Sequence, residues 1–281
     1  MTGEATIFIG LKGGYMQIPD GWASRHVTLN NCRHHYVIGK QTDRPTLIVA
    51  HGFTDNWQCL APLAAPFDDA YNVVLYDARG HGLSEATGGG YDAETMADDL
   101  AALCGYLGVE HPVFYGHSLG ADSALRVACR SNVSPRALVL EEHPAQLFTV
   151  LGDDHLQEKR QELKAWGTAT HEELRLAFEK RGEVFADALA TARKQVRPSV
   201  IGVTRRGFRP IADTASSPPC PTLLLRPDPD VAPYTDAARD WSGGGAVRHA
   251  VDGAGHTVFR DAPDTCRSFI ESFFEENGLP T

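Results

Sequence analysis

Two patterns of apolar and polar positions alternate along the chain. The first is the short, continuous apolar run: "PTLIVAHG" (45–52), "YNVVLYDARGHG" (71–82), "PVFYGHS" (112–118), "PRALVLEEHPA" (135–145) and "PTLLLRPDPD" (221–230). A run with no polar residue at alternate positions predicts a strand covered on both faces. The second is the helical stripe. In "YDAETMADDLAALCGYLGV", Met96, Leu100, Leu103 and Leu107 recur at helical spacing with acids between them, which predicts an amphipathic helix. A helix is also predicted over "LGADSALRVACRS", a short one near "TDAARDW", and a last one over "APDTCRSFIESFFEENG". "RHVTLNNC" and "RHHYVIGK" predict an early hairpin, and "AVRHAVDGAGH" a late strand.

Strand and helix in alternation imply a mostly parallel, doubly wound sheet with helices on both faces, an α/β fold. From about Gln146 to Ser217 the pattern breaks into charged helical sequence with no buried strand, and Pro218, Pro219 and Pro221 close it. Parallel connections rarely need so many residues, so this block reads as a helical cap inserted into the core. The expected organisation is a core over residues 1–145 and 218–281 with a cap over 146–217.

Composition narrows the classes. The chain has 281 residues, 42% hydrophobic and 22% charged, with a net charge of −10 and no dense basic run. That argues against nucleic-acid binding, which needs Lys/Arg clusters. No stretch approaches the roughly 20 apolar residues of a membrane span. The N-terminus has an early acid and no long apolar core, so it does not read as a secretory signal. The six cysteines are scattered without C-x-x-C or zinc-finger spacing, as expected of reduced thiols in a cytoplasmic protein. His34 and His35 are adjacent and would point to opposite faces of a strand, which disfavours a metal site.

The segment "VFYGHSLGADSAL" carries the chemistry. Gly116-His117-Ser118-Leu119-Gly120 lies between a predicted buried strand and a predicted helix. A serine on such a tight turn stands clear of the sheet, and the flanking glycines remove Cβ atoms that would collide with the turn. The helix behind it aims backbone N–H groups at the same place. Ser118 is therefore the candidate nucleophile. A serine needs a base, and His256, in the small-residue loop "VDGAGH" before the last helix, is the candidate. The base needs an acid. Asp228 and Asp230 both follow the strand "PTLLLR"; Asp230 is preferred because it lies further past the strand end, Asp228 is the rival, and Glu141 and Glu142 are more distant candidates. An oxyanion needs two donors, and the backbone N–H groups of Leu119 and Phe53 are the candidates.

With "HGFTDN", "YDARGHGLS", "GHSLGA", "LLLRPDPD" and "GAGHTVFRDAP" in this order, the chain from about Arg25 to Asn277 resembles the α/β-hydrolases, specifically the serine-nucleophile branch with a helical cap. The resemblance implies a structural role for "DARGHGLS" in the turn after its strand. Several departures sharpen it. A serine rather than an aspartate nucleophile disfavours epoxide hydrolases and haloalkane dehalogenases. The His-Gly-Phe loop is neither the Gly-Gly-Gly loop of many lipases nor the H-G-x-G-P-G loop of C–C hydrolases. Pro227 stands where such proteins usually have glycine before the acid.

The expectation is a hydrolase that cleaves a carboxylic ester, lactone or thioester of a small molecule through an acyl-enzyme, with no metal or organic cofactor. The expected partner is a small-molecule acyl substrate, with no nucleic acid or membrane, for a monomer or homodimer. Trp57, His117, Glu142, Phe148 and Trp166 are candidate pocket residues, alongside Phe53 and the cap residues Leu147, Leu151, Leu174, Phe178 and Phe185. The alternatives are perhydrolysis or C–C cleavage on the same triad, and a non-enzymatic ligand receptor.

Overall fold

The computed structural model describes residues 11–12, 15–130, 132–142, 153–202, 218–231 and 245–281. Phe148, Leu147, Leu151 and the helix expected near "TDAARDW" lie outside the described residues. An eight-stranded sheet forms the centre, in the order β10-β9-β8-β7-β5-β6-β4-β3. Its strands are β3 (Ala23–Leu29), β4 (Cys32–Ile38), β5 (Thr46–Ala50), β6 (Asn72–Asp77), β7 (Val113–His117), β8 (Ala137–Glu141), β9 (Thr222–Arg226) and β10 (Val247–Ala250). The pairs among β5 to β10 are parallel, while β3–β4 and β4–β6 are antiparallel. The two-residue strands β1 (Leu11–Lys12) and β2 (Tyr15–Met16) pair apart from it.

The expected hairpin is β3–β4. Its two turn residues, Asn30 and Asn31, both take positive φ (47° and 57°), the conformation that matches the twist of the strands and that asparagine tolerates. The apolar runs are buried because each strand serves two cores. On β5, Leu47 and Val49 join one cluster, with Tyr115 and Val139. Ile48 and Ala50 join the other, with Phe114 and Leu138.

Helix α1 is Trp57–Ala64, α2 Ala93–Leu107 and α3 Leu119–Arg130. Helix α2 starts at Asp92, whose side chain accepts from Thr95 N, and stops at Gly108 in the left-handed region (φ 68°). Between β8 and β9 the described residues hold α4 (Asp153–Thr168), α5 (His171–Ala177) and α6 (Glu183–Gln195), and no strand. Thr170 and Glu173 form a reciprocal cap at the start of α5. Ala188, Leu189 and Ala192 of α6 enter the same core as Trp57 and Leu60 of α1. After β10, the expected last helix is α8 (Pro263–Glu276), preceded by a separate turn of helix, α7 (Val258–Asp261).

The order of the strands positions the site. The chain leaves β5 for β6 on one side and later returns to β7 on the other, so the loops after β5 and β7 face each other across a topological switch. None of the helices formed by the described residues is long and apolar enough to cross a membrane.

Candidate active site

Ser118 sits where β7 becomes α3, at φ 48°, a region that L-residues other than Asn and Asp rarely enter. It is held there from both sides. Its amide continues the sheet ladder to Glu141 O at 2.9 Å, and its carbonyl accepts from Asp122 N at 3.1 Å. A Cβ on Gly116 would lie 2.5 Å from Gly120 O, and one on Gly120 would fall on the Ala50 carbonyl. Both glycines are therefore required by close backbone approach. Leu119 is the first residue of α3, so its amide has no partner within its own helix.

The facing loop, 51–56, is pinned at several points. His51 donates from Nδ1 to Gly52 O (2.8 Å), and its Nε2 accepts from Ala78 N (3.0 Å). A Cβ on Gly52 would strike the His117 ring. Thr54 takes φ 70° and Asn56 caps α1. Phe53 is half-buried and packs edge-on against His81 at 6.0 Å. Asp77 has the structural role implied for its motif. It accepts from Trp57 N (2.7 Å), Leu83 N (3.0 Å) and His35 Nδ1 (2.7 Å), and Gly82 has no room for a Cβ beside that carboxylate.

The His256 loop is tethered to His117, the residue before Ser118. The Nε2 of His117 lies 3.2 Å from the His256 carbonyl, which can only accept, so that nitrogen carries a proton. The two imidazoles are 5.2 Å apart. The other nitrogen of His117 faces Asp55 Oδ2 at 3.5 Å. Burial works against charge on His117, but Glu141 and Asp55 outweigh it and raise the pKa.

The sequence ranked Asp230 first as the acid beside His256, and the structure arranges these residues otherwise. Asp230 is exposed. Asp228 spends its two oxygens on Asp230 N (2.8 Å) and Gly253 N (2.7 Å), which tie the β9 exit to the histidine loop. Those two amides, Gly253 first, lower its pKa. Glu141 is committed as well, accepting from Tyr115 OH (2.5 Å) and Phe259 N (2.8 Å). The carboxylate opposite His256 is that of Glu142, with Oε1 3.7 Å from Nδ1. Among the described residues, no hydrogen bond or ion pair joins His256 to Asp228 or Asp230.

Of the candidate pocket residues, Trp57, His117 and Glu142 are buried. Trp57 belongs to the core cluster around α1, so its ring has a packing role. Trp166 is half-buried beneath the Arg193 guanidinium, 4.9 Å from the ring centre, and Phe178 lies 5.5 Å from the same group.

Asp55, Arg193 and Arg260 had no role in the sequence reading. Asp55 Oδ2 accepts from Arg260 Nη1 (2.9 Å), and Arg193 Nη1 lies 3.4 Å from its Oδ1 while donating to Thr54 O (2.5 Å). Burial alone would raise the Asp55 carboxyl, but Arg260 chiefly, with His117 and Arg193, holds it well below the usual carboxylate range. The cluster joins the loop after β5, helix α6 and the segment after His256. The only sequence signal was an arginine set in the apolar stretch "TVFRDA", which names no partner.

The arrangement sets a hydroxyl, an imidazole and a helix N-terminus at one sheet end, the components of acyl transfer. A model of the alpha/beta hydrolase family matches residues 47–268. The chain is 37% identical over 86 residues to a 2-(acetamidomethylene)succinate hydrolase of Mesorhizobium japonicum, covering 31% of each protein. It is 32% identical over 127 residues to a bifunctional esterase/perhydrolase of Acinetobacter calcoaceticus, covering 40% of this chain and 45% of that one. These matches thus span less than half the length of either relative. The crystal structure of an E-2-(acetamidomethylene)succinate hydrolase superposes with a TM-score of 0.73 at 22% identity, covering 90% of this chain and 99% of that one, a likeness of fold.

Proposed function

The chain belongs to the alpha/beta hydrolase family, and from that membership we propose that it is a serine hydrolase, cleaving a carboxylic ester, lactone or thioester of a small molecule through an acyl-enzyme. The observation that carries this reading is Ser118 itself, kept at φ 48° by two sterically obligatory glycines, with the His256 loop tethered to the residue before it. Holding a non-glycine residue in that conformation costs about 1–2 kcal/mol, a strain that ordinary packing does not require.

In this reaction His256 takes the Ser118 proton as Oγ attacks the acyl carbon, and the oxygen of the broken C=O π bond becomes an oxyanion. The amides of Leu119 and Phe53 hold that charge. Collapse expels the alcohol or thiol, which leaves with the proton from His256. Water then attacks the acyl-enzyme by the same route, returning Ser118 and releasing the acid. Helices α4 to α6 act as a cap, which meets the loop after β5 through Arg193 at Thr54 and Asp55.

The experiment is labelling with a fluorophosphonate probe, followed by a panel of p-nitrophenyl esters, lactones and acyl thioesters. Covalent addition at Ser118 and turnover of at least one acyl class are expected. A folded protein that neither labels nor turns over any of them overturns the reading. Similarity to an esterase/perhydrolase favours one second reading, in which hydrogen peroxide replaces water in the last step. Peracid formation from acetate ester and peroxide would reveal it.

A further inference from the structure

We propose that Glu142, at the end of β8, is the carboxylate that orients His256, in place of the aspartates that follow β9. This rests on the reading of Ser118 and His256 as nucleophile and base.

Glu142 Oε1 lies 3.7 Å from Nδ1 of His256, the nitrogen that must face the acid if Nε2 is to serve Ser118. The aspartates after β9 are otherwise engaged. Each oxygen of Asp228 already accepts a backbone amide, from Asp230 N and Gly253 N, and neither is paired with His256, while Asp230 stands in solvent. Position in the sheet explains the exchange. β8 lies between β7 and β9, so its C-terminal end is adjacent to Ser118, and the longer glutamate side chain reaches across to the histidine loop. The Glu142 backbone is pinned, its amide donating to Leu225 O at 2.9 Å and its φ at 43°. Its side chain is 6% exposed, while that of His256 is 52% exposed. A buried carboxylate acts in a lower dielectric than the exposed Asp230, so its hold on an imidazolium is stronger at equal distance. The exposed His256 ring needs to move only about 1 Å to close the gap to a hydrogen bond, and such bonds commonly tighten when substrate binds.

Glu142 would therefore be a positioning residue, acting on the acyl group through His256. The test compares Glu142→Gln, Glu142→Asp, Asp230→Asn and Asp228→Asn in the full chain, reading p-nitrophenyl acetate turnover and the rate of fluorophosphonate labelling. Glu142→Gln is expected to lower kcat and the labelling rate by about 10²-fold or more while KM moves less than about threefold. Glu142→Asp should restore part of the rate, and Asp230→Asn should stay within about fivefold of the wild type. A crippled Asp230→Asn, or a Glu142→Gln variant near wild type, overturns the assignment. Should Glu142→Gln fail to fold, the two aspartate variants decide: loss of activity in a folded Asp230→Asn or Asp228→Asn overturns the assignment, and near-wild-type activity in both upholds it. A folded wild-type protein that never labels at Ser118 refutes the nucleophile, and the Glu142 assignment with it. A wild type that labels while the variants contradict refutes only the assignment.

Discussion

Arg260 Nη1 and Asp55 Oδ2 meet at 2.9 Å across 205 residues of sequence, both side chains buried. The pair clamps the loop that carries Phe53 to the segment that follows His256, and Arg193 adds helix α6 to the same carboxylate.

Removing that charge should be costly. Asp55→Asn leaves Arg260 buried without its anion, a situation that typically costs about 3–5 kcal/mol. Chemical denaturation should show the loss. Fold and activity should fail together, because on the proposed mechanism the two segments joined by Asp55 carry the oxyanion donor Phe53 and the base His256. A stability change below about 1 kcal/mol would show that the clamp is not needed.

Ser118, the proposed nucleophile, separates activity from strain. Ser118→Ala should reduce kcat by about 10³-fold or more and leave the fold intact. Ser118→Gly should be equally inactive and more stable than the alanine variant by about 1 kcal/mol, because glycine accepts φ 48° without penalty. Matched urea melts of the two variants check this.

Gly120→Ala tests the close approach behind the nucleophile. The new methyl would meet the Ala50 carbonyl, a backbone atom of the central strand that cannot rotate away. Overpacking of this kind costs about 1–3 kcal/mol. The turn should open, so kcat should fall even where the protein still folds, as steady-state kinetics and a thermal melt would report.

Stability should fall towards alkaline pH because of His34. Burial opposes its charge, but Asp99, together with Cys32, outweighs burial and pushes its pKa up to about 9 from 6.5, with the Asp99 carboxylate 3.5 Å away. The folded form thus binds the proton more tightly than the unfolded chain. The resulting stabilisation is complete below about pH 6.5 and is lost as pH rises through about 9. Urea midpoints measured from pH 6 to 9.5 should decline, and His34→Gln should flatten that decline.

Much of this protein could be read from the sequence alone. The unbroken apolar runs required strands covered on both faces, because alternate side chains feed two cores, as Leu47 and Ile48 do. Glycine at 116 and 120 around a serine, at a strand-to-helix boundary, required the tight turn, since steric exclusion by a Cβ is a local property. The small-residue loop before the last helix made His256 the candidate base by the same local logic, and the fold sets its ring 5.2 Å from that of His117. Tertiary structure decided the rest. Which carboxylate faces His256 depends on the order of β8 and β9 in the sheet and on the reach of each side chain, and no spacing along the chain encodes that distance. Asp228 and Asp230 are two residues apart in sequence, yet one accepts from two backbone amides and the other is in solvent. Asp55 and Arg260 became partners only when folding buried both, because two charges out of water must find each other and sequence separation does not enter that requirement.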